Sequence, residues 1–426
     1  MIDRSVAPPI KDAIEFDLQL KPYEKFELDN GVPVYAVDAG VEELLQIELV
    51  FCAGNSFEKQ NMVASATNSL LKNGTSTRSA FEINDHFEYY GSYCNRACYH
   101  ETAVLSLHTL NKHLSKLLPV MQDMITNSVF TEEEINIYKQ NNKQRLLVSL
   151  KKCDFVAGQL IDAHLYGEDH PYGKYTKAEN IDALTREAMV KFFNEYYLNG
   201  RCIIFVAGKL PGDLFQQLNE NFGKLALRPA LEFNVASVAN PSAEKKLHLN
   251  NDPNAVQAAI RIARQFPNRH HPDFMKVMVL NSLFGGFFGS RLMSNIREEK
   301  GYTYGIHSYL QNHIQQSAWM ISTEVGKDVC QPAIEEIYKE MRILHDELVD
   351  DEELLLVKNY MLGTILGDLD GPFHIIGRWK NLILNNLDVT YFNKSVETIK
   401  NITAEELKDL AKKYLVPEEF YELVVI

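Results

Sequence analysis

The stretch Leu283–Leu310, LFGGFFGSRLMSNIREEKGYTYGIHSYL, gathers residues suited to gripping a ligand. Gly285, Gly286 and Gly289 mark a tight turn, and residues without a Cβ let backbone approach a bound chain closely. Arg297 offers a guanidinium to peptide carbonyls or a carboxylate, and Tyr304 a phenol that can donate to a developing oxyanion. By pattern alone the same two residues also read as a solvated arginine in a helix's last turn, ended by Gly301, and a strand tyrosine with a wet hydroxyl. The glycines do not make a phosphate loop, because no lysine follows and the strand–loop–helix setting is missing.

Other reactive residues form no recognisable set. Cys94 and Cys98 in CNRAC lie near His100, but their spacing is not a zinc knuckle and they read as buried thiols on a strand. His270 and His271 fall in a loop before a helix, and His164 and His170 in a turn-forming segment. None of the thirteen histidines belongs to a His-x-x-Glu-His motif or its inverse. Gly-x-Ser-x-Gly is absent as well, although a triad assembled in space stays open.

The elements that must carry these residues alternate short strands with amphipathic helices. LLQIELVFCAG (44–54) and ETAVLSLHTLN (101–111) alternate as half-buried strands, while RCIIFVAG (201–208) is apolar throughout. Thr131 with Glu134, and Thr403 with Glu406, have the form of capping boxes. The order repeats. Glu134 and Lys139 are echoed 219 positions later by Glu353 and Lys358, and Thr185 is echoed 218 positions later by Thr403. The expected fold is α+β: two homologous halves, each a mainly antiparallel sheet with helices packed on one face. The halves span 1–227 and 246–426, joined by a linker over 228–245 within LALRPALEFNVASVANPSAEKK.

Composition narrows the function. The 426 residues are 46% hydrophobic and 23% charged, the profile of a soluble globular chain. Fifty-seven acidic against 43 basic side chains give a net charge of −14, which argues against nucleic acid or an anionic membrane as partner. The opening MIDRSVAPPIKDAIEFDLQLK has no apolar core of a signal peptide and no transit-peptide character. Six cysteines without framework spacing complete the expectation of a cytoplasmic protein.

From ELDNGVPVYAV to the C-terminus the chain resembles the pitrilysin/insulysin family (M16) of zinc peptidases, in its two-domain, mitochondrial-processing-peptidase-like branch. The quoted glycine turn, ENIDALTREAMVKFFNEYYLNGRCIIFVAG and HLYGEDHPYGK carry the likeness. The resemblance implies that Arg297 and Tyr304 bind substrate. It also implies that MVASATNSLLKNGT, ending in Gly74 and Thr75, matches the helix that bears His-x-x-Glu-His in active members. There Ser65 and Ser69 occupy the histidine positions and Asn68 the glutamate position. A third ligand, about 75 residues on in active members, would fall near Arg145–Leu146, and no glutamate occurs between Glu134 and Glu168. A serine hydroxyl is a poor zinc ligand and a carboxamide is no base near neutral pH.

What the resemblance implies is therefore a non-catalytic subunit with no metal or cofactor of its own. A homologous His-x-x-Glu-His-bearing partner would hold the zinc in a heterodimer, and the substrates would be peptides or unfolded segments. A scaffold subunit of a larger complex is one alternative, and an active peptidase with a misregistered metal site is another.

Overall fold

Two sheets form the centre of the computed structural model, which describes residues 11–230 and 238–426. The first holds β1 (Glu24–Glu27), β2 (Pro33–Asp38), β3 (Leu44–Phe51), β4 (Tyr93–Cys98), β5 (Ala103–Leu110), β6 (Arg201–Gly208) and the short β7 (Arg228–Pro229), in the order β1-β2-β6-β3-β5-β4 with β7 beside β6. The second holds β8 (Lys246–Leu249), β9 (Gln257–Phe266), β10 (Thr303–Asn312), β11 (Ser317–Gly326) and β12 (Tyr421–Val425), in the order β10-β11-β9-β12-β8. Laid side by side, β2-β6-β3-β5-β4 and β8-β12-β9-β11-β10 have one topology. Even the parallel pair recurs in place, β2 with β6 and β8 with β12. The expected α+β fold of two homologous, mainly antiparallel halves is the fold observed, except that helices cover both faces of each sheet rather than one, because each half lends a helix to the other.

The echoed residues do matching work. Lys139 Nζ donates to the Asp182 carbonyl at 3.1 Å, and Lys358 Nζ donates to the Lys400 carbonyl at 3.0 Å. Glu134 accepts from Asn73 Nδ2 at 2.6 Å, while Glu353 accepts both Nε and Nη2 of Arg291 at 2.8 Å, so each glutamate ties down the turn that follows its half's central helix. The capping box at Thr403–Glu406 is complete. At Thr131 only half of it forms: the hydroxyl accepts from Glu134 N at 3.3 Å, but the carboxylate is committed to Asn73.

The halves exchange helices. Helix Pro372–Leu384, from the second half, covers the face of the first sheet turned away from that sheet's own helices, and Cys153–Tyr166, from the first half, covers the same face of the second sheet. The strands are accordingly apolar on both sides. In β6, Ile204 and Val206 face first-half helices while Ile203, Phe205 and Ala207 face the incoming helix. In β9, Ala258, Ile260 and Ile262 face one way and Ala259 and Ala263 the other. Period-2 alternation of this kind, with both faces covered, reads in sequence as a continuous apolar run. An ion pair pins each exchanged helix to its sheet, Lys380 with Glu48 at 2.6 Å and Asp154 with Arg261.

The expected linker is partly ordered against the fold. Arg228–Pro229 still pairs with β6, and the amides of Asn240 and Ser242 donate to the carbonyls of Tyr166 and His164 at 2.9 and 2.8 Å. Residues 231–237 of that linker, and residues 1–10 of the opening read for a targeting segment, lie outside the described residues. No helix among the described residues is long and apolar enough to cross a membrane.

A ring cluster joins the halves at the ends of β4 and β10. His313 stacks on Tyr172 with centroids 4.0 Å apart and meets His100 edge-on at 4.6 Å, while the Tyr172 hydroxyl donates to Glu101. His100 Nδ1 and His313 Nε2 are buried without a hydrogen-bond partner. Burial, with lesser repulsion from His100 and His170, pushes His313 down to about 3, and burial also lowers His100 and His170.

Two outcomes are expected. Below the ordinary histidine value of about 6.5 the unfolded chain takes up protons that folded His313 refuses, so this contribution is complete above that pH and is lost as pH falls toward about 3. Urea unfolding should show wild type losing about 1 kcal/mol more than His313→Phe between pH 7.5 and 5.5. Trp379 anchors the exchanged helix, being 6% exposed, donating Nε1 to the Lys21 carbonyl at 2.7 Å and packing edge-on against Tyr23. Trp379→Ala should cost about 3–5 kcal/mol by the same measurement.

Candidate functional site

The helix Val63–Leu70 sets Ser65, Asn68 and Ser69 on one face, as spacings of three and four require. Two of the three side chains are turned to structural use, and Ser69 serves through its backbone. Ser65 Oγ donates to the Met62 carbonyl at 3.1 Å, and buried Asn68 donates Nδ2 to the Tyr197 hydroxyl at 3.1 Å. The Ser69 carbonyl accepts Arg96 Nη1 at 2.7 Å. Beside this face lies a cavity of about 260 Å³ lined by Ser69, Arg96, Glu134, Tyr138 and Arg145. The fold thus brings the expected third-ligand region to the helix, but with a guanidinium where a carboxylate would be needed. Arg96 Nε is buried there without a partner.

These residues do not fit zinc. Two hydroxyls and a carboxamide replace the imidazoles and the base, and two guanidinium groups would repel a divalent cation. Among the described residues no three His, Cys, Asp or Glu side chains converge in a way that could hold a metal.

In the second half, the corresponding turn presents its residues outward. Gly285 serves packing against β10: a Cβ there would lie 2.7 Å from Ser308 Cβ and 2.9 Å from Leu292 Cδ1. A Cβ on Gly286 would crowd the Asn281 carbonyl at 3.2 Å, and one on Gly289 the Phe287 ring at 2.8 Å. The turn is held by the Arg291–Glu353 fork and by Phe287 stacked on Tyr360 at 4.5 Å. Asn295 Nδ2 donates to Glu336 at 2.9 Å and Glu340 at 2.7 Å, fixing the next helix, Met293–Glu299. Gly301, at φ +67°, ends the segment in the left-handed conformation expected of it.

On this rigid support Arg297 lies over the exposed Phe288 ring, 4.6 Å from its centroid, and makes no ion pair among the described residues. Tyr304 is 92% exposed. The reason is a β-bulge: the β10–β11 register passes from Thr303 opposite Val325 to Ile306 opposite Thr323, leaving two residues facing Glu324 alone. Thr303 and Thr323 hydroxyls both reach the Gly305 carbonyl, at 3.0 and 2.9 Å, and hold the bulge open. The fold therefore carries Arg297 and Tyr304 on one glycine-turn-to-strand unit, neither side chain with an ion pair or hydrogen bond among the described residues.

The remaining candidates are packing residues. Burial pushes the thiols of Cys94 and Cys98 up to about 11 and about 12, far from a reactive thiolate. His270 contacts the Asn385 carbonyl at 2.8 Å, and His271 Nδ1 accepts the Asp273 amide at 3.1 Å, as loop residues before a helix. His170 stacks on Tyr166 within the inter-half cluster. One feature escaped the sequence reading: a cavity of about 660 Å³ in the second half, with Arg269 at its wall. A signal for it exists in the near-repeat of TNSLL (67–71) as LNSLF (280–284).

Comparison with known proteins follows the same division. A family model described as insulinase, peptidase family M16, matches residues 37–168, and one described as the peptidase M16 inactive domain matches 183–361. An uncharacterized zinc protease of Rickettsia felis is 25% identical over 416 residues, 93% of this chain and 90% of that one. A crystal structure titled as a peptidase M16 inactive domain from Pseudomonas fluorescens superposes with a TM-score of 0.85 at 22% identity, over 95% of this chain and 98% of the other. A chain of complex III2 from Candida albicans superposes with a TM-score of 0.75 at 14% identity, over 94% and 95%.

The site geometry carries its own test. Purified chain dialysed against micromolar zinc should retain well under one zinc per chain by elemental analysis, and Ser65→His with Ser69→His should not restore tight binding while Arg145 stands at the third position. With two models spanning both halves, the chain belongs to peptidase family M16.

Proposed function

We propose that this chain is the non-catalytic, substrate-binding subunit of a heterodimeric M16 zinc peptidase. It holds extended peptides while a homologous chain with His-x-x-Glu-His cuts them at its own zinc. The observation that carries the reading is the contrast between the halves. The Ser65 hydroxyl and the Asn68 carboxamide are spent on local hydrogen bonds and Ser69 lies beside two arginines, whereas the side chains of Arg297, over the Phe288 ring, and exposed Tyr304 make no ion pair or hydrogen bond among the described residues.

Peptide as the substrate class rests on the chemistry of that pair and on the sheet edges. An extended chain adds to a free edge through backbone hydrogen bonds. The outer side of β10 is capped, since Asn281 Nδ2 reaches the Ser308 carbonyl at 3.1 Å and the Ile306 amide faces Met293 Sδ at 3.5 Å. In the first sheet β4 pairs with β5 alone, and among the described residues no strand covers its far side. The net charge of −14 disfavours nucleic acid and anionic membrane as alternatives. The proposed compartment is the cytoplasm.

The test is reconstitution with the chain that co-purifies in equal amount. Tyr304→Phe and Arg297→Ala should each lower kcat/KM for peptide cleavage, by about tenfold to a hundredfold, with the complex still assembling. Full activity in both assembled variants would instead indicate a scaffold subunit.

A further inference from the structure

The two cavities occupy one place in the repeated fold. Ser69 and Arg96 line the first, and Ser282 and Tyr309, 213 positions on, line the second. From the long helices, Asn141, Asn142 and Arg145 correspond to Tyr360, Met361 and Thr364, 219 positions on, which also line it. The space beside the helix that bears Ser65, Asn68 and Ser69 thus has a counterpart under the glycine turn. In this chain the first-half space is about 260 Å³ and polar, while the second is about 660 Å³. The larger volume falls within the range of about 300–1,000 Å³ typical of small-molecule sites.

Its wall is mainly apolar and adaptable, with Met275, Met278, Met361, Ile365, Phe392 and Ile399 among the lining residues. Methionines in such a wall fit chains of varied shape. Gly377 sits inside the helix Pro372–Leu384, where glycine costs about 1 kcal/mol relative to alanine, and a Cβ there would meet no atom within 4 Å. It faces the cavity and leaves the volume open. The charges are unequal. Arg378 is neutralised by Asp368, but Arg269 has no carboxylate within 4 Å among the described residues; it lies beside the Tyr391 hydroxyl and over the Phe274 ring, 5.6 Å from its centroid. A partly buried guanidinium at the edge of an apolar space lacks the counter-charge that such groups ordinarily find.

We propose that this cavity binds a small amphipathic anion, its carboxylate on Arg269 and its apolar chain among the methionines. The ligand class follows from the unpaired cation, the apolar depth and the volume. It does not rest on the peptide-holding role: Gly286 of the glycine turn lines the cavity, but Arg297 and Tyr304 do not.

Dodecanoate is a suitable probe, titrated calorimetrically into the full chain. One site per chain is expected. Arg269→Met should weaken dodecanoate by about tenfold or more while leaving the uncharged analogue dodecanamide unchanged. Gly377→Leu, which fills open space on a helix and keeps the chain folded by circular dichroism, should abolish binding of both. Absence of dodecanoate binding to wild type would overturn the proposal, as would binding that neither substitution alters. Binding of an extended peptide that is sensitive to Gly377→Leu, with no dodecanoate binding, would make the cavity a peptide subsite and overturn it equally.

Discussion

The whole molecule depends on one constraint: each sheet has two faces to bury and only one set of its own helices to bury them with. The chain solves this by exchange. Helix Pro372–Leu384 closes the open face of the first sheet and Cys153–Tyr166 that of the second, so neither half completes its core alone. Burial of apolar area on this scale, at about 25 cal/mol per Å², outweighs the entropy of ordering the connections. It also fixes the relative placement of everything else. The β4 edge, the glycine turn and the inter-half ring cluster are held in one frame because the halves cannot rotate without uncovering their cores.

The exchange makes polar anchors worthwhile. A charge under a helix is costly unless paired, and Glu48 and Arg261 are both nearly buried in their sheets. Lys380 and Asp154 meet them from the arriving helices, which sets the register of each crossing. The same logic governs the turns after the central helices, where Glu134 and Glu353 hold Asn73 and Arg291. In the first half that anchoring encloses a small polar pocket unsuited to metal. In the second it supports an exposed arginine and tyrosine above a wide apolar cavity. One architecture, used twice, has diverged through a few side chains at equivalent positions.

Much of this was legible in the sequence. The 219-residue echo of Glu134 and Lys139 marks residues whose hydrogen bonds recur in both halves, so the repeat reflects a structural requirement. Helix starts at Thr131, Thr185 and Thr403 follow from side chains that satisfy amides three residues on. The unfitness of Ser65, Asn68 and Ser69 for zinc is a matter of donor chemistry and needs no coordinates. Gly301 ends its helix for a purely local reason.

Other features depend on residues far apart in the chain. The unbroken apolar run of β6 shows that both faces are covered, but not that the distant helix Pro372–Leu384 covers one of them. Gly285 reads as room for a ligand until Ser308 is found against it. Tyr304 faces outward because of a bulge set by two threonine hydroxyls on neighbouring strands. Arg269 becomes a candidate only when the fold leaves it at a cavity wall without a carboxylate. Local pattern and side-chain chemistry, set by neighbours within a turn or two, determined the elements, the repeat and the unsuitability of Ser65, Asn68 and Ser69 as metal ligands. Exposure, pairing and empty volume arise from packing between distant segments, and only the tertiary structure decided them.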